Sequence, residues 1–497
     1  MSTSLFRTRL AKEFDNRTAR FHTSVVEDLR IFEDDINCTV AHDIMLHEQG
    51  IIQSKELKLI LGALEEIRQK WRKGEVTIGA EYEDVHEYIE TKVIEKIGIE
   101  TGGMIHTGRS RNDQVVTDIK LRLRDDILNM AEATLNLADT LNKRAGQHAE
   151  TMMILYTHGQ HAQVGTFGHY LQAYTDILIR DYRRLMEVLT RVNTNPLGAG
   201  PVGGTSININ RVRTTELLGF DSLHENSIDA TSSRDWAIET ASACAIIAGD
   251  LSRMAADLLE WSTIEFGYIE LADEYASSSS IMPQKKNPST LELLRGKTGE
   301  AYGALMELLT MEKGVPSGYY QDLQETKLTL WRTLDNTQTC LEIMNGITGT
   351  MKVKPEKMLK QVNGSFTMAV EIAETLVSES GLSFRESYKV AADLVNLTIS
   401  RGKTLDTLTS QDVEASIEKL YKKKVKVAKS LIEKATDPKM SLNRRISIGS
   451  PHPEQVKNAV KKNGTTLVEG HVEQNKKKKA LENALENLQT IAAKLSK

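Results

Sequence analysis

Apolar residues recur at three- and four-residue steps through much of the chain. Between residues 113 and 144 the stripe runs Ile119, Leu123, Ile127, Met130, Thr134, Leu137, Leu141, the spacing that covers one face of an α-helix. Residues 237–266 contain no proline and one glycine, and they set Ala241, Ala245, Ala248, Ser252 and Ala255 down one side. A helix of that length spans about 45 Å, and its small side chains predict closely packed neighbours. Residues 288–313 and 324–346 continue the pattern. Only nine prolines interrupt 497 residues. Because proline breaks or kinks helices, this pattern predicts an all-α chain built around a bundle of long helices.

The pattern divides the chain into an N-terminal helical domain over residues 1–106, a central long-helix bundle over 107–360, and a C-terminal helical domain over 361–497. The length alone is too great for one simple core. The C-terminal domain is shorter-paced and ends in a basic amphipathic tail. There Lys476, Lys477, Lys478 and Lys479 precede Leu481, Leu485, Leu488, Ala492 and Leu495, the pattern of a surface or oligomer-contact helix. No internal repeat at solenoid spacing is present.

Composition narrows the class. The chain is 40% hydrophobic and 26% charged with a net charge of −5, which gives no support to nucleic-acid binding. No apolar run reaches about eighteen residues, so no membrane span is expected. The first seventeen residues carry charges where a signal peptide needs its apolar stretch. Cys38, Cys244 and Cys340 are far apart and odd in number, which fits a reducing, cytoplasmic compartment better than a disulfide framework.

Polar chemistry concentrates in loops between the long helices, where function is usually carried. The first cluster is Thr107-Gly-Arg109-Ser110-Arg111-Asn112-Asp113-Gln114. Two arginines separated by one residue can grip a carboxylate, and Asn112 or Asp113 can equally cap the helix that follows. The second, Tyr156-Thr157-His158-Gly159-Gln160-His161-Ala162-Gln163, pairs a hydroxyl with a group that titrates near neutrality. Read alone, it is also a setting for a structural histidine.

The third cluster runs from Ser277 through Ser279 and Ser280 to Pro283, Lys285, Lys286, Asn287 and Pro288. It predicts a mobile serine loop followed by positive charge and an amide, the groups a developing dianionic carboxylate needs. In the fourth, Tyr319, Gln324 and Lys327 can converge on a ligand, or Asp322 can cap a helix. No phosphate-binding glycine loop, HExxH or paired-cysteine motif is present. That leaves cofactor-free, metal-free chemistry as the enzymatic reading.

At these clusters the chain resembles the argininosuccinate lyase branch of the aspartase/fumarase superfamily. HTGRSRNDQ is similar to that branch's signature, SSIMPQKKNP to the superfamily loop, and DLQETK to the branch's DLQEDK. Phe21-His-Thr-Ser24 with Asp28, and Asp84-Val-His86, are similar to further family segments. The resemblance covers about residues 21–385.

It implies a three-domain, nearly all-helical fold and a homotetramer whose sites draw on three subunits. The implied activity is cofactor-free cleavage of argininosuccinate to arginine and fumarate, the last step of arginine biosynthesis, through an aci-carboxylate carbanion. On matching positions, His158 and Ser279 are the acid and base in either order, and Lys285 and Asn287 stabilise the intermediate. Ser24, Arg111, Asn112, Thr157, Arg234, Tyr319, Gln324 and Lys327 match substrate contacts. The alternatives are another lyase of the superfamily, such as adenylosuccinate lyase, fumarase or aspartase, and a crystallin-like relative of reduced activity.

The chain departs from the family at Thr157-His-Gly-Gln-His161, where THLQR is usual, at Ser278 in place of glycine, and along residues 204–211. Within a helix Gly159 would cost about 1 kcal/mol relative to alanine.

Overall fold

The computed structural model describes residues 9, 12 and 14–496; most of the N-terminal stretch read above for a signal peptide lies outside them. The predicted long helices are present as Arg111–Gln147, Asp235–Ser262, Ser289–Glu312 and Thr326–Thr350, with Phe167–Val192 as a fifth. They pack on one another in a bundle. The Ala-lined face of the Asp235 helix is buried at Ala237, Ala241, Ala245, Ala248 and Ala255, so small side chains do set close approach there.

Ser110 caps the Arg111 helix in a capping box, with its hydroxyl at the helix N–H groups and Asp113 returning to the Ser110 N–H. The expected caps, Asn112 and Asp113, are therefore inside the first turn. Asp113 has a second task. Its other oxygen accepts the N–H groups of Gly198 and Gly200, each at 2.8 Å, and ties that glycine-rich loop to the helix start.

The strands are short. Met152–Thr157 and Gln160–Thr166 form an antiparallel hairpin, and three further pairs are only two residues long. The hairpin corrects the reading of Gly159. His158 and Gly159 have φ values of 55° and 68°, as the two central residues of a type I′ turn require. Glycine is favoured there, and the helix penalty does not apply.

Two hydrophobic clusters divide the chain differently from the expected boundaries. The larger joins the N-terminal helices Phe32–Glu48 and Ser54–Arg72 to the central bundle and to Leu467 and Leu488. The smaller covers residues 362–435 and includes Ile154 and Val164 of the hairpin. The segment 361–497 thus does not share one core. Its last helix, Pro453–Leu495, lies along the Arg111 and Phe167 helices. Gln172 and Asn463 are joined there by a buried 2.8 Å hydrogen bond. In the tail Lys477 pairs with Asp221 at 3.0 Å and Lys478 with Glu132 at 3.2 Å, so part of its basic face is neutralised within the chain. Among the described residues no helix is long and apolar enough to cross a membrane.

Candidate active site

The up-and-down course of the long helices sorts the predicted residues into two groups. The Arg111 helix begins, the Asp235 helix begins, and the Thr326 helix begins at one end of the bundle. Ser24, Arg111, Asn112, Tyr319, Gln324 and Lys327 meet there around a cavity of about 140 Å³, together with Asp84, His86, Val115 and Gln321.

Each of these side chains is placed by its neighbours. Lys327 is buried and donates to Ser24 Oγ at 3.0 Å and to Asp28. Ser24 in turn donates to Asp28 at 2.7 Å. Gln324 donates to the His22 carbonyl at 3.0 Å, and Asn112 to the Pro201 carbonyl at 3.2 Å. Arg111 pairs with Glu83 at 3.0 Å and Asp84 at 2.9 Å. Asp84 also caps the helix Val85–Ile97 by accepting the Glu87 N–H. Burial would raise the Asp84 carboxyl, but Arg111, His86 and that N–H together hold it below its usual value.

The other arginine of the first motif is not part of this cavity. Arg109 is buried and donates to Thr39 Oγ1 at 3.0 Å, so the two arginines do not form one carboxylate grip. Arg234 also lies outside the lining. It is 1% exposed, and its guanidinium donates to the carbonyls of Thr231 and Ser233 at 3.2 and 2.9 Å. Burial pushes it down to about 10, partly offset by Tyr319 and Glu312. It lies near enough to Tyr319 for the two side chains to interact electrostatically. Asp322 caps no helix; it lies in the 3-10 turn Gln321–Gln324, ahead of the Thr326 helix.

Thr157, His158, Ser279, Lys285 and Asn287 are at the opposite end. Thr157 and His158 sit at the tip of the hairpin, exposed, beyond the C-terminus of a 37-residue helix that spans about 55 Å. Tyr156 anchors the hairpin to Tyr268 through hydroxyls 3.2 Å apart. The serine loop is tied at its base, where Ser277 pairs with Asn287 and Ser278 with Lys286. Ser279 Oγ accepts the N–H groups of Ile281 and Met282 at 3.4 and 3.1 Å. Backbone donors aimed at a hydroxyl oxygen stabilise negative charge on it. Lys286 is engaged with Asp273 at 2.7 Å, whereas Lys285 has no ion pair among the described residues.

Behind the cavity wall lies a buried network of which the sequence motifs contain only His86 and Gln114. His86 Nδ1 bonds to Asp35 and lies 3.5 Å from Asp118; Gln114 also donates to Asp35, at 2.8 Å. Asp35, His86 and Asp118 each place one possible metal-ligating atom within 4.8 Å of the others, but the Asp35 oxygen already accepts two hydrogen bonds. The available signal was an acid in the apolar phase of a helix: Asp35 beside Phe32 and Ile36, and Asp118 beside Val115 and Ile119. A wider groove of about 530 Å³ runs between the Arg111 and Thr326 helices. Arg30 pairs across it with Asp126 and Asp335 at 3.0 and 2.7 Å, and it holds none of the predicted residues.

This long-helix bundle, with residues 8–303 matching the family described as Lyase, is a lyase of the fumarase fold class. A fumarase from Schistosoma mansoni, only 16% identical, shares the fold with a TM-score of 0.70 over 86% of this chain and 95% of its own. The second match is narrower: residues 366–443 fit the family described as argininosuccinate lyase C-terminal. An argininosuccinate lyase of Methanosarcina mazei is 41% identical over the whole of both chains. One of Nitrosopumilus maritimus is 44% identical over 83% of this chain and 84% of its own. A crystal structure of EDDS lyase in complex with formate is 29% identical, with a TM-score of 0.88 over 97% of this chain and 94% of that one. The chain belongs to the argininosuccinate lyase family.

Proposed function

We propose that this chain cleaves argininosuccinate to arginine and fumarate in the cytoplasm, as a homotetramer whose sites combine both ends of the bundle. One observation carries the reading. The family's residues are all present but stand in two groups separated by the bundle length, and the 140 Å³ cavity at one end is smaller than the roughly 300–1,000 Å³ usual for a small-molecule site. Antiparallel packing of copies brings the end of one bundle beside the opposite end of another.

In such a site Arg111, Lys327, Ser24, Asn112, Tyr319 and Gln324 hold the substrate, and Thr157 adds a hydroxyl. Arg234 acts through Tyr319. A base removes the proton from the carbon next to the carbon–nitrogen bond. The electron pair enters the adjacent carboxylate as an aci-carboxylate, stabilised by Lys285 and Asn287. The pair then forms the carbon–carbon double bond as the carbon–nitrogen bond breaks, and an acid protonates the departing nitrogen. The two backbone N–H groups at Ser279 Oγ favour this serine as the base and His158 as the acid.

Release of fumarate from argininosuccinate, followed by its ultraviolet absorbance, tests the reading. Activity on adenylosuccinate, aspartate or malate instead, or on none of them, would replace it with the corresponding superfamily enzyme or an inactive relative.

A further inference from the structure

We propose that His86 is a positioning residue: clamped by Asp35 in the first turn of the helix that Asp84 caps, it fixes the Asp84 carboxylate, and through it Arg111, at the wall of the substrate cavity. The proposal rests on the reading of that cavity as part of the substrate site. His86 lines it, is 5% exposed, and lies in the first turn of the helix that Asp84 caps.

Charges alternate through the wall. Asp35 and Asp118 stand on the inner side of the ring, from the helices Phe32–Glu48 and Arg111–Gln147. Asp84, on its own turn, and Asp28, from the segment Val25–Asp28, also act on it. Beyond these carboxylates come Arg111, 2.9 Å from Asp84, and Lys327, bonded to Asp28. Burial by itself would strip the proton from His86. The Asp35 and Asp84 carboxylates outweigh it and raise the ring above its usual value. Its Nε2 is buried without a hydrogen-bond partner, so the ring is held from one side by Asp35 and by field on the other.

A neutral ring at this point would leave Asp84 less well balanced, and Asp84 is the anchor of a cation that grips substrate. That cation acts away from the breaking bond, so its misplacement weakens ground state and transition state alike. The signature is a rise in KM with little change in kcat, whereas a histidine that only fills the core would alter stability and neither constant.

The test uses the intact enzyme and argininosuccinate. His86→Asn can keep a neutral donor toward Asp35 while removing the charge, and should raise KM about tenfold or more, the scale of a charge-assisted contact, with kcat within about threefold. Asp35→Asn should do the same, and the double variant should be no worse than either single one. In the wild type KM should rise toward alkaline pH as the ring loses its proton, and in Asp35→Asn that rise should move to lower pH. This last pair needs no His86 variant to fold. An unchanged KM in folded His86→Asn, a loss confined to kcat, additive effects, or a pH profile that Asp35→Asn leaves in place would each overturn the proposal. Fumarate release by the wild type tests the substrate reading separately, so the two can fail independently.

Discussion

Lys327 and Ser24 are joined by a 3.0 Å hydrogen bond across 303 positions of sequence, and both are bonded to the buried carboxylate of Asp28. The cavity at that end of the bundle is therefore assembled from segments 303 positions apart, and its buried lysine is also structural. Replacing Lys327 by methionine leaves Asp28 buried and without its counter-charge. Removing one partner of such a pair costs roughly 3–5 kcal/mol. We expect Lys327→Met to lose that much in denaturant unfolding, and Lys327→Met/Asp28→Asn to recover a large part of it. Equal stabilities for the two would show that the pair is not coupled.

The hairpin turn separates folding from chemistry. Gly159 has open space around the position of an added Cβ but a φ of +68°, so Gly159→Ala should cost about 1–2 kcal/mol through backbone conformation alone. Asparagine tolerates the left-handed region well. His158→Asn should thus keep the melting temperature while kcat falls by roughly 10²–10⁴-fold, the usual contribution of a proton-transfer group. A His158→Asn enzyme of near-normal kcat would remove His158 from the chemistry.

These two cases mark what was legible in the sequence. The long helices followed from periodicity, because each had to bury a continuous apolar or small-residue face. The cavity residues Arg111, Asn112, Tyr319, Gln324 and Lys327 were found because polar groups crowd at helix starts. Besides the buried acids Asp35 and Asp118, three things escaped. Gly159 carried a cost only on the condition of a helix, and the hairpin itself went unread because two strands of six and seven residues without clean alternation give a weak signal inside a helical chain. Arg109 was read with Arg111 as a carboxylate grip, since sequence does not reveal that its guanidinium is turned inward to Thr39. The final helix was grouped with the smaller C-terminal cluster by proximity in sequence, although its partners, such as Gln172 for Asn463, lie almost 300 residues earlier.

Asp43 predicts a pH dependence of stability. It is fully buried, both its oxygens lack hydrogen-bond partners, and burial pushes its pKa up to about 8 against the pull of Arg109. The unfolded carboxyl ionises near 3.8. Between these values the folded state holds a proton that the unfolded state has lost, so this group's contribution to stability falls as pH rises, by at most about 1.4 kcal/mol per unit. Asp43→Asn removes that slope. The variant's melting temperature relative to wild type should increase from about pH 5 to about pH 8, and a constant difference across that window would show that Asp43 is ionised in the fold.

Ser279 accepts two backbone N–H groups, an arrangement that favours its oxyanion. Ser279→Ala removes the proton acceptor and little of the binding surface, so kcat should fall far more than KM rises. Single-turnover rates measured with saturating argininosuccinate provide the check. A variant that keeps a tenth or more of the wild-type rate, roughly the loss of a peripheral contact rather than of a base, would return that role to His158.

The separation of the two residue groups makes the strongest claim on the assembly. Arg111 and Asn112 open a 37-residue helix, and the hairpin bearing Thr157 and His158 follows its far end, about 55 Å away. Ser279, Lys285 and Asn287 precede the Ser289 helix, which returns over 24 residues, about 36 Å, toward Tyr319 and Lys327. No rearrangement short of unfolding the bundle closes such distances within one chain. If each site draws on three subunits, as the family resemblance implies, so that His158 and Ser279 come from two different copies, His158→Asn and Ser279→Ala impair sites through different subunits. Each variant should be nearly inactive alone. Dissociated, mixed and reassembled, they should regain activity, because some sites in the mixed tetramers draw both groups from unaltered positions. Each variant taken alone through the same dissociation and reassembly is the control, and native mass measurement establishes that mixed tetramers have formed. Mixed tetramers with activity no higher than the single variants would mean that His158 and Ser279 reach each site from the same subunit.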